Sequence, residues 1–216
     1  MQRVGALMND MMQDIRASEA MDRPHAMWSS SCVEDTKRMA EKLAAFVQAG
    51  DCIELSGDLG AGKTQFVQGL AAGLGISAQV ISPTFNILLT YPGGRVPLFH
   101  FDLYRLDDAL ELEDIGFYDV LEDEGVVCIE WGDKFPDALP DDRLVVRLLR
   151  LDADADANAR RIELLATGPR AGELLSRWEE ACKEAREDAL GKEAPEKDTY
   201  EEEALASDAA SSQGIE

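Results

Sequence analysis

One eight-residue run constrains this chain most: Gly57-Asp58-Leu59-Gly60-Ala61-Gly62-Lys63-Thr64. It fits the phosphate-binding loop pattern, a glycine followed by four residues and then Gly-Lys-Thr. Glycines let successive backbone N–H groups converge on an anion, and a helix that starts after the loop points its positive dipole end at the same anion. The run therefore predicts a nucleoside triphosphate site in which residues 58–64 contact the phosphates.

The residues on either side of the loop have the periodicity that the motif requires. Cys52–Ser56 has the composition of a short strand. After the loop, apolar residues recur at helical spacing until Gly75, at Phe66, Val67, Leu70 and Leu74. In that context Lys63 reaches the β- and γ-phosphates, and Thr64 offers its hydroxyl to Mg²⁺.

The other elements predict an α/β fold, a three-layer P-loop NTPase-like sandwich with a mixed β-sheet. A helix with a capping box from Ser31 to Glu34 is predicted before the first strand. Two apolar runs around Pro92-Gly93-Gly94 predict a hairpin. The predicted strands beyond the first are Ile87–Tyr91, Val96–Asp102, Val126–Ile129, Leu144–Leu151 and Arg161–Ala166.

Composition divides the chain into three predicted parts. Residues 1–29 lack a sustained period and are expected to form a disordered extension. Residues 30–170 are expected to form the P-loop ATPase domain. Residues 171–216 are rich in Glu, Asp, Ala and Ser, and are expected to be an acidic tail that begins as a helix and ends disordered.

The charge and hydropathy of the chain disfavour two functions, direct nucleic-acid binding and membrane insertion. The net charge of −22 disfavours direct binding to nucleic acid, since such binding depends on neutralising phosphates with Lys and Arg. No run approaches the roughly 20 apolar residues of a membrane helix, so we expect a cytoplasmic protein without membrane contact. The four cysteines are widely separated, which predicts reduced thiols rather than disulfides or a zinc site.

Two carboxylates end apolar runs, as the acids of a magnesium nucleotide site do. Glu130 directly follows the apolar run Val126–Ile129. Asp102 directly follows the run Leu98–Phe101. Either one is a candidate to bind Mg²⁺, with the other orienting the attacking water. Trp131 is a candidate to pack beside the nucleotide, although a Trp after a buried strand is also typical of a core residue.

Other polar residues near these acids have two interpretations each. Thr84, in Ser82-Pro83-Thr84-Phe85, is placed to sense the γ-phosphate, or it belongs to an ordinary Ser-Pro turn. His100 and Arg105 flank Asp102, either as part of the site or as a buried histidine and a charge partner.

Taken together, four motifs in this order resemble the TsaE family, formerly known as YjeE. They are the phosphate loop, Ser82-Pro83-Thr84-Phe85, His100-Phe101-Asp102-Leu103-Tyr104-Arg105-Leu106 and Glu130-Trp131. The resemblance covers about residues 30–165. It implies a bacterial ATPase of tRNA threonylcarbamoyladenosine (t6A) synthesis that acts with TsaD and TsaB and resets their complex by hydrolysing ATP. The tRNA would be held by these partners.

The resemblance also implies roles for individual residues. Lys63 matches the phosphate-binding lysine, and Asp102 matches the essential acid of the His-x-Asp-x-Tyr-Arg motif. Thr64 and Glu130 match the magnesium ligands. The remaining matches are Ser82 and Thr84 in a switch-like loop and Trp131 beside the nucleotide. Position 85 departs from the family pattern, since Phe stands where Tyr is frequent.

Two other functions use the same loop. A small-molecule kinase would transfer the phosphoryl group to an acceptor hydroxyl, with Arg143, Arg147 and Arg150 as a possible lid clamp. A nucleotide-gated switch would recognise a protein partner, but the chain has no Asn-Lys-x-Asp sequence for reading guanine. The segment Ser31–Val33 is a candidate to touch the base, but the sequence does not define the rest of the pocket.

Overall fold

The computed structural model describes residues 25–151 and 159–191, and side chains as far as residue 184. The strands are β1 His25–Ser30, β2 Cys52–Ser56, β3 Leu88–Tyr91, β4 Leu98–Asp102, β5 Val126–Glu130, β6 Leu144–Arg150 and β7 Arg160–Ala166. The helices are α1 Val33–Ala44, α2 Lys63–Gly73, α3 Glu111–Asp114, α4 Phe117–Leu121 and α5 Pro169–Gly191. Two 3₁₀ turns follow β5, at Gly132–Lys134 and Pro136–Ala138.

The seven strands form one mixed sheet in the order β1-β7-β6-β2-β5-β4-β3. The four central strands, β6, β2, β5 and β4, are parallel, whereas β3, β7 and β1 each pair antiparallel with a neighbour. The predicted hairpin is confirmed as β3 and β4. Because parallel strands present their carboxyl ends at one edge, the ends of β2, β4 and β5 meet there.

The two faces of β4 and β5 differ in chemistry because side chains alternate along a strand. On one face, Phe99 and Phe101 lie beside Val127 and Ile129 in an apolar cluster that also contains Leu112 of α3 and Phe117 of α4. The opposite face has His100, Asp102 and Glu130, all buried. One face therefore supplies the core, and the other presents polar groups beside the phosphate loop.

Helices α1 and α2 pack closely against each other. A Cβ atom at Gly69 would lie 2.2 Å from the carbonyl oxygen of Lys37, so only glycine permits this approach. The predicted core residues of α2 are confirmed as buried, and Met39 and Leu43 of α1 are buried as well. Burying each side chain of this size stabilises the fold by about 1.5–3 kcal/mol.

The amino-terminal boundary of the fold differs from the prediction. Strand β1 begins at His25, inside the segment expected to be a disordered extension, and pairs with β7 from His25 opposite Leu165 to Ser30 opposite Arg160. Residues 1–24 lie outside the described residues. The predicted capping box is wrong: Cys32 is the N-cap of α1, and the Ser31 backbone N–H and hydroxyl both donate to Asp35.

Helix α5 confirms the helical start of the tail that was expected from residue 171 onward, but the first part of this helix is packed into the fold. Leu174, Leu175 and Trp178 are buried, and the Trp178 ring lies 5.6 Å from that of Trp28. Arg170 donates two hydrogen bonds to Asp51, at 2.7 and 2.8 Å. The first compact unit therefore extends to Glu180; the second, from Ala181, is helical as far as Gly191. The predicted disordered end of the tail lies outside the described residues.

The cysteines are free thiols, as the sequence predicts. All four cysteines lie among the described residues, and none is disulfide-bonded. The pKa of Cys52 is raised to about 12 by burial, and burial also raises the pKa of Cys128. None of the helices in the described part of the chain has both the length and the apolar composition needed to cross a bilayer.

Candidate functional site: the edge of the sheet around the phosphate loop

The phosphate loop joins the end of β2 to the start of α2, as predicted. Its first glycine, Gly57, has a φ of +135°, and a Cβ atom there would lie 2.4 Å from the Leu148 carbonyl oxygen. Only glycine satisfies both conditions. The loop is therefore pressed against β6, and α2 begins at Lys63 with its free N–H groups directed at the loop.

Lys63 lies within the concave side of this loop. The side chain is only 5% exposed, and Nζ donates to the carbonyl oxygens of Gly57 at 2.7 Å and Asp58 at 3.1 Å. Burial lowers the pKa of Lys63, and the nearby carboxylates of Glu130 and Asp102 partly oppose that shift. The ammonium group makes no hydrogen bond to either carboxylate in the described structure, so a bound phosphate would add an anionic partner.

Thr64 and Glu130 meet at the edge of the sheet. The Thr64 hydroxyl donates to Glu130 Oε1 at 2.8 Å, across 66 residues of sequence. Hydroxyl and carboxylate oxygens are the hard ligands that Mg²⁺ prefers. The described residues contain no cluster of three or more His, Cys, Asp or Glu side chains that would hold a metal alone. This donor set fits Mg²⁺ that is completed by nucleotide phosphates and water.

Asp102 lies beside Glu130, since the two residues are paired in the register of β4 and β5. Asp102 Oδ1 accepts the backbone N–H of Tyr104 at 3.0 Å, and Oδ2 accepts the Thr84 hydroxyl. The Ser82 and Thr84 hydroxyls are 2.7 Å apart. The structure therefore joins the Ser82–Thr84 loop to the carboxylate that the sequence predicts as an acid of the site.

The Trp131 side chain lies at the site beside Lys63. Its backbone is in the left-handed region, with a φ of 62°, and its ring centroid lies 4.0 Å from Lys63 Nζ and 5.1 Å from the Tyr104 ring. A non-glycine residue in this region is strained, and such strain is frequent at functional sites. The turn after β5 thus places the ring against the phosphate loop.

These residues enclose a cleft of about 270 Å³. Its walls are Leu59, Gly60, Gly62, Lys63, Thr64, Gln65, Ser82, Thr84, Asp102, Tyr104, Glu130 and Trp131. Two predicted contacts lie elsewhere: Asp58 supplies the carbonyl oxygen that binds Lys63, and Ala61 lines a neighbouring cleft. Tyr104 and Gln65 belong to the walls but were not predicted as site residues.

That neighbouring cleft, of about 200 Å³, lies across the loop from the first. Its walls are Cys32, Val33, Thr36, Gly60, Ala61, Gly62, Gln65 and Arg160. Arg160 Nε donates to the Ala61 carbonyl oxygen at 3.0 Å. Gly60, Gly62 and Gln65 line both clefts, so the two clefts adjoin each other at the phosphate loop.

The remaining candidates are dispersed. His100 is buried with Nε2 2.9 Å from Glu130 Oε1, whereas Arg105 is exposed and lies over the Phe85 ring at 5.6 Å. Arg143 pairs with Glu54 at 2.6 Å. Arg147 and Arg150 lie on β6 three residues apart, and therefore on opposite faces of the sheet. Arg150 Nη1 lies 4.0 Å from the position of a Cβ atom at Gly60, so one of the three arginines is beside the phosphate loop, but the three do not converge on one point.

Comparison with known proteins shows the family of this chain. The family model described as "Threonylcarbamoyl adenosine biosynthesis protein TsaE" matches residues 30–162. The chain is 40% identical over 157 residues to the tRNA threonylcarbamoyladenosine biosynthesis protein TsaE of Bacillus subtilis, covering 73% of this chain and 91% of that protein. The chain belongs to the TsaE family.

Further relatives agree with that membership. The TsaE protein of Streptomyces coelicolor is 39% identical over 137 residues, which is 62% of this chain and 92% of that protein. The crystal structure of YdiB from Bacillus subtilis superposes with a TM-score of 0.59 at 34% identity, covering 77% of this chain and 97% of YdiB. The P-loop NTPase-like α/β fold of this TsaE-family chain is thereby confirmed.

Proposed function

We infer that this chain is a Mg²⁺-dependent ATPase. The observation that carries the inference is the contact between Thr64 and Glu130, at 2.8 Å, next to a buried Lys63 inside a phosphate loop. Together they supply a hydroxyl and a carboxylate for the metal and a cation for the phosphates. Thr64 and Glu130 would hold Mg²⁺, which would supply positive charge to the phosphates during hydrolysis.

We propose that the nucleotide runs from the first cleft into the second, since the two clefts share Gly60, Gly62 and Gln65. The triphosphate would lie along the first cleft, against residues 58–64, and the adenine would enter the second. There the Arg160 guanidinium, already held by Ala61, presents a planar cation that stacks on aromatic rings. Trp131 would then flank the phosphate end, where its ring contacts Lys63.

Three residues would serve the hydrolysis step. Asp102 lies next to Glu130 at the strand ends, and is placed to orient the attacking water. Ser82 and Thr84 are on a loop that Asp102 holds by a hydrogen bond, so arrival or loss of the γ-phosphate would shift that loop. We assign Glu130 and Thr64 to the metal, and Lys63 to the phosphates.

The cellular role that we propose is t6A modification of tRNA in the cytoplasm, with TsaD and TsaB as partners. Membership of the TsaE family supports it, and a net charge of −22 favours contact with proteins over contact with tRNA. Leu59, which lines the first cleft, is 75% exposed, and Phe85 on the Thr84 loop is 86% exposed. Each would offer apolar contact area to a partner protein. ATP hydrolysis would reset the complex between turnovers.

Formation of t6A in vitro tests this role. Purified TsaD and TsaB would be supplied with threonylcarbamoyl donor and tRNA, with or without this chain and ATP. We expect several modified tRNA molecules per TsaD only when both are present. Equal product without the chain, or with a non-hydrolysable ATP analogue, would contradict the resetting role.

A further inference from the structure

His100 is a buried polar side chain in contact with Glu130 that the proposed ATPase mechanism leaves without a role. It lies in the middle of β4, is 0% exposed, and faces the same side of the sheet as Asp102 and Glu130. Its Nε2 atom lies 2.9 Å from Glu130 Oε1. A carboxylate oxygen only accepts hydrogen bonds, so Nε2 donates.

Two donors therefore converge on one oxygen of Glu130. The Thr64 hydroxyl reaches Oε1 from α2 at 2.8 Å, and the His100 ring reaches it from β4 at 2.9 Å. Glu130 Oε2 accepts no hydrogen bond from the described residues. A carboxylate that is held at one oxygen by two rigid elements cannot rotate freely, and its second oxygen keeps a fixed direction.

The other ring nitrogen of His100, Nδ1, makes no hydrogen bond in the described structure. This atom is buried. A buried polar atom without a partner costs free energy that an apolar side chain of similar volume would avoid. The ring therefore gains its only hydrogen bond in the described structure from Glu130, which argues against a role as core filling alone.

We propose that His100 is a positioning residue, which fixes the Glu130 carboxylate so that it binds Mg²⁺ together with Thr64. The inference rests on the proposed function, because it concerns how the metal ligand of that function is held. Groups that bond to a metal ligand from behind orient it, and their loss typically weakens metal affinity or activity about 10–100-fold.

The first test measures how nucleotide affinity depends on Mg²⁺. ATP binding to the full chain would be titrated calorimetrically with EDTA and over a range of Mg²⁺ concentrations. His100→Leu removes the donor at similar volume, and His100→Gln keeps an N–H donor. Cys128→Ala is the control, because Cys128 is buried directly opposite His100 on β5 and is no ligand.

We expect His100→Leu to raise the Mg²⁺ concentration for half-maximal enhancement of ATP affinity about 10–100-fold, with unchanged affinity in EDTA. His100→Gln should recover most of that loss, and Cys128→Ala should match the wild type. Equal Mg²⁺ dependence in all four proteins would overturn the proposal. So would equal defects in the Leu and Gln variants, since a purely structural role predicts them.

A second measurement does not depend on ATP binding. Crystal structures of the wild type and of His100→Leu would show whether Glu130 keeps its contact with Thr64. We expect the carboxylate to rotate away in the variant, and an unchanged 2.8 Å contact would overturn the positioning role. If the wild type bound no ATP, the proposed function would fail while this comparison still decided the role of His100.

Discussion

The Thr84 hydroxyl donates a hydrogen bond to Asp102 Oδ2, across 18 residues of sequence, and so joins an exposed loop to a buried carboxylate at the end of β4. The other oxygen of Asp102 is held by the Tyr104 backbone N–H. The Asp102 backbone N–H also donates to the Ile87 carbonyl oxygen, at 2.9 Å. The loop that carries Ser82 and Phe85 is thus joined to an acid of the candidate site through the Thr84 side chain and through the backbone of Ile87.

Replacing Thr84 with Val should release this loop. The substitution keeps the shape and removes the donor to a charged group, a bond that contributes about 1.5–3 kcal/mol. Hydrogen exchange measured by mass spectrometry should speed up about 10–100-fold in peptides covering residues 82–87. Ser82→Ala is the matched control, because it leaves the Asp102 contact in place. Equal exchange in Thr84→Val and the wild type would show that the contact does not order the loop.

Replacing Lys63 with Ala should weaken ATP binding. The buried ammonium group is the cation within the loop, and loss of a charge-assisted contact costs about 1.5–3 kcal/mol, or roughly 10–100-fold in Kd. Calorimetry with Mg²⁺ would measure the change. Arg38→Ala removes an exposed cation of α1 and serves as the control for charge. If Lys63→Ala bound ATP as tightly as the wild type, the phosphates would lie elsewhere.

Nucleotide should protect Cys32 from alkylation. This thiol is partly exposed in the second cleft, whereas Cys52 and Cys128 are buried and their raised pKa values keep them protonated at about pH 8. ADP at about ten times its Kd should slow iodoacetamide labelling of Cys32 about tenfold, as measured by peptide mass spectrometry. Inorganic triphosphate fills only the phosphate loop and should protect little. Equal labelling with and without ADP would contradict the assigned base cleft.

Replacing Trp178 with Ala should destabilise the whole fold. The side chain is buried against Trp28, and deletion of a buried aromatic ring costs about 3–5 kcal/mol. In a chain of this size the Tm should fall by about 10 °C, measured by calorimetry or circular dichroism. Glu180→Ala, an exposed change near the end of the same unit, should have almost no effect. An unchanged Tm in Trp178→Ala would mean that α5 is not part of the core.

Local signals predicted the first cleft well. The loop motif, the strand before it and the helix after it are contiguous in sequence, so their geometry follows from periodicity. Asp102 and Glu130 could be placed at the same edge because each ends an apolar run, and parallel strands end together. Their register as direct neighbours on β4 and β5 required the structure.

The second cleft could be predicted only on the side of Ser31–Val33. Cys32 enters the cleft as the N-cap of α1, and Thr36 enters it from the first turn of that helix. Arg160 reaches Ala61 across 99 residues, and nothing in the local pattern around Arg160 indicates a contact with the phosphate loop. A contact between residues as distant in sequence as Arg160 and Ala61 depends on the order of the strands in the sheet. The periodicity of a single sequence does not give that order.

Composition misled the sequence analysis at both ends of the domain. Strand β1 has polar residues at His25, Ser29 and Ser30, so no apolar alternation marks it, and its pairing with β7 defines it. In α5, the many Glu residues hid the spacing of Leu174 and Trp178, which lie four residues apart on one buried face. A helix with many charged residues can therefore still bury a row of apolar side chains along one face.

ATP turnover by the purified chain, alone and with TsaD and TsaB, tests the central claim most directly. The account predicts slow Mg²⁺-dependent hydrolysis alone and clear stimulation by the two partners together. Glu130→Gln should lower the stimulated rate more than about 100-fold while ATP binding in EDTA is retained. Rapid hydrolysis with a rate that TsaD and TsaB do not change, or full activity of Glu130→Gln, would contradict the central claim.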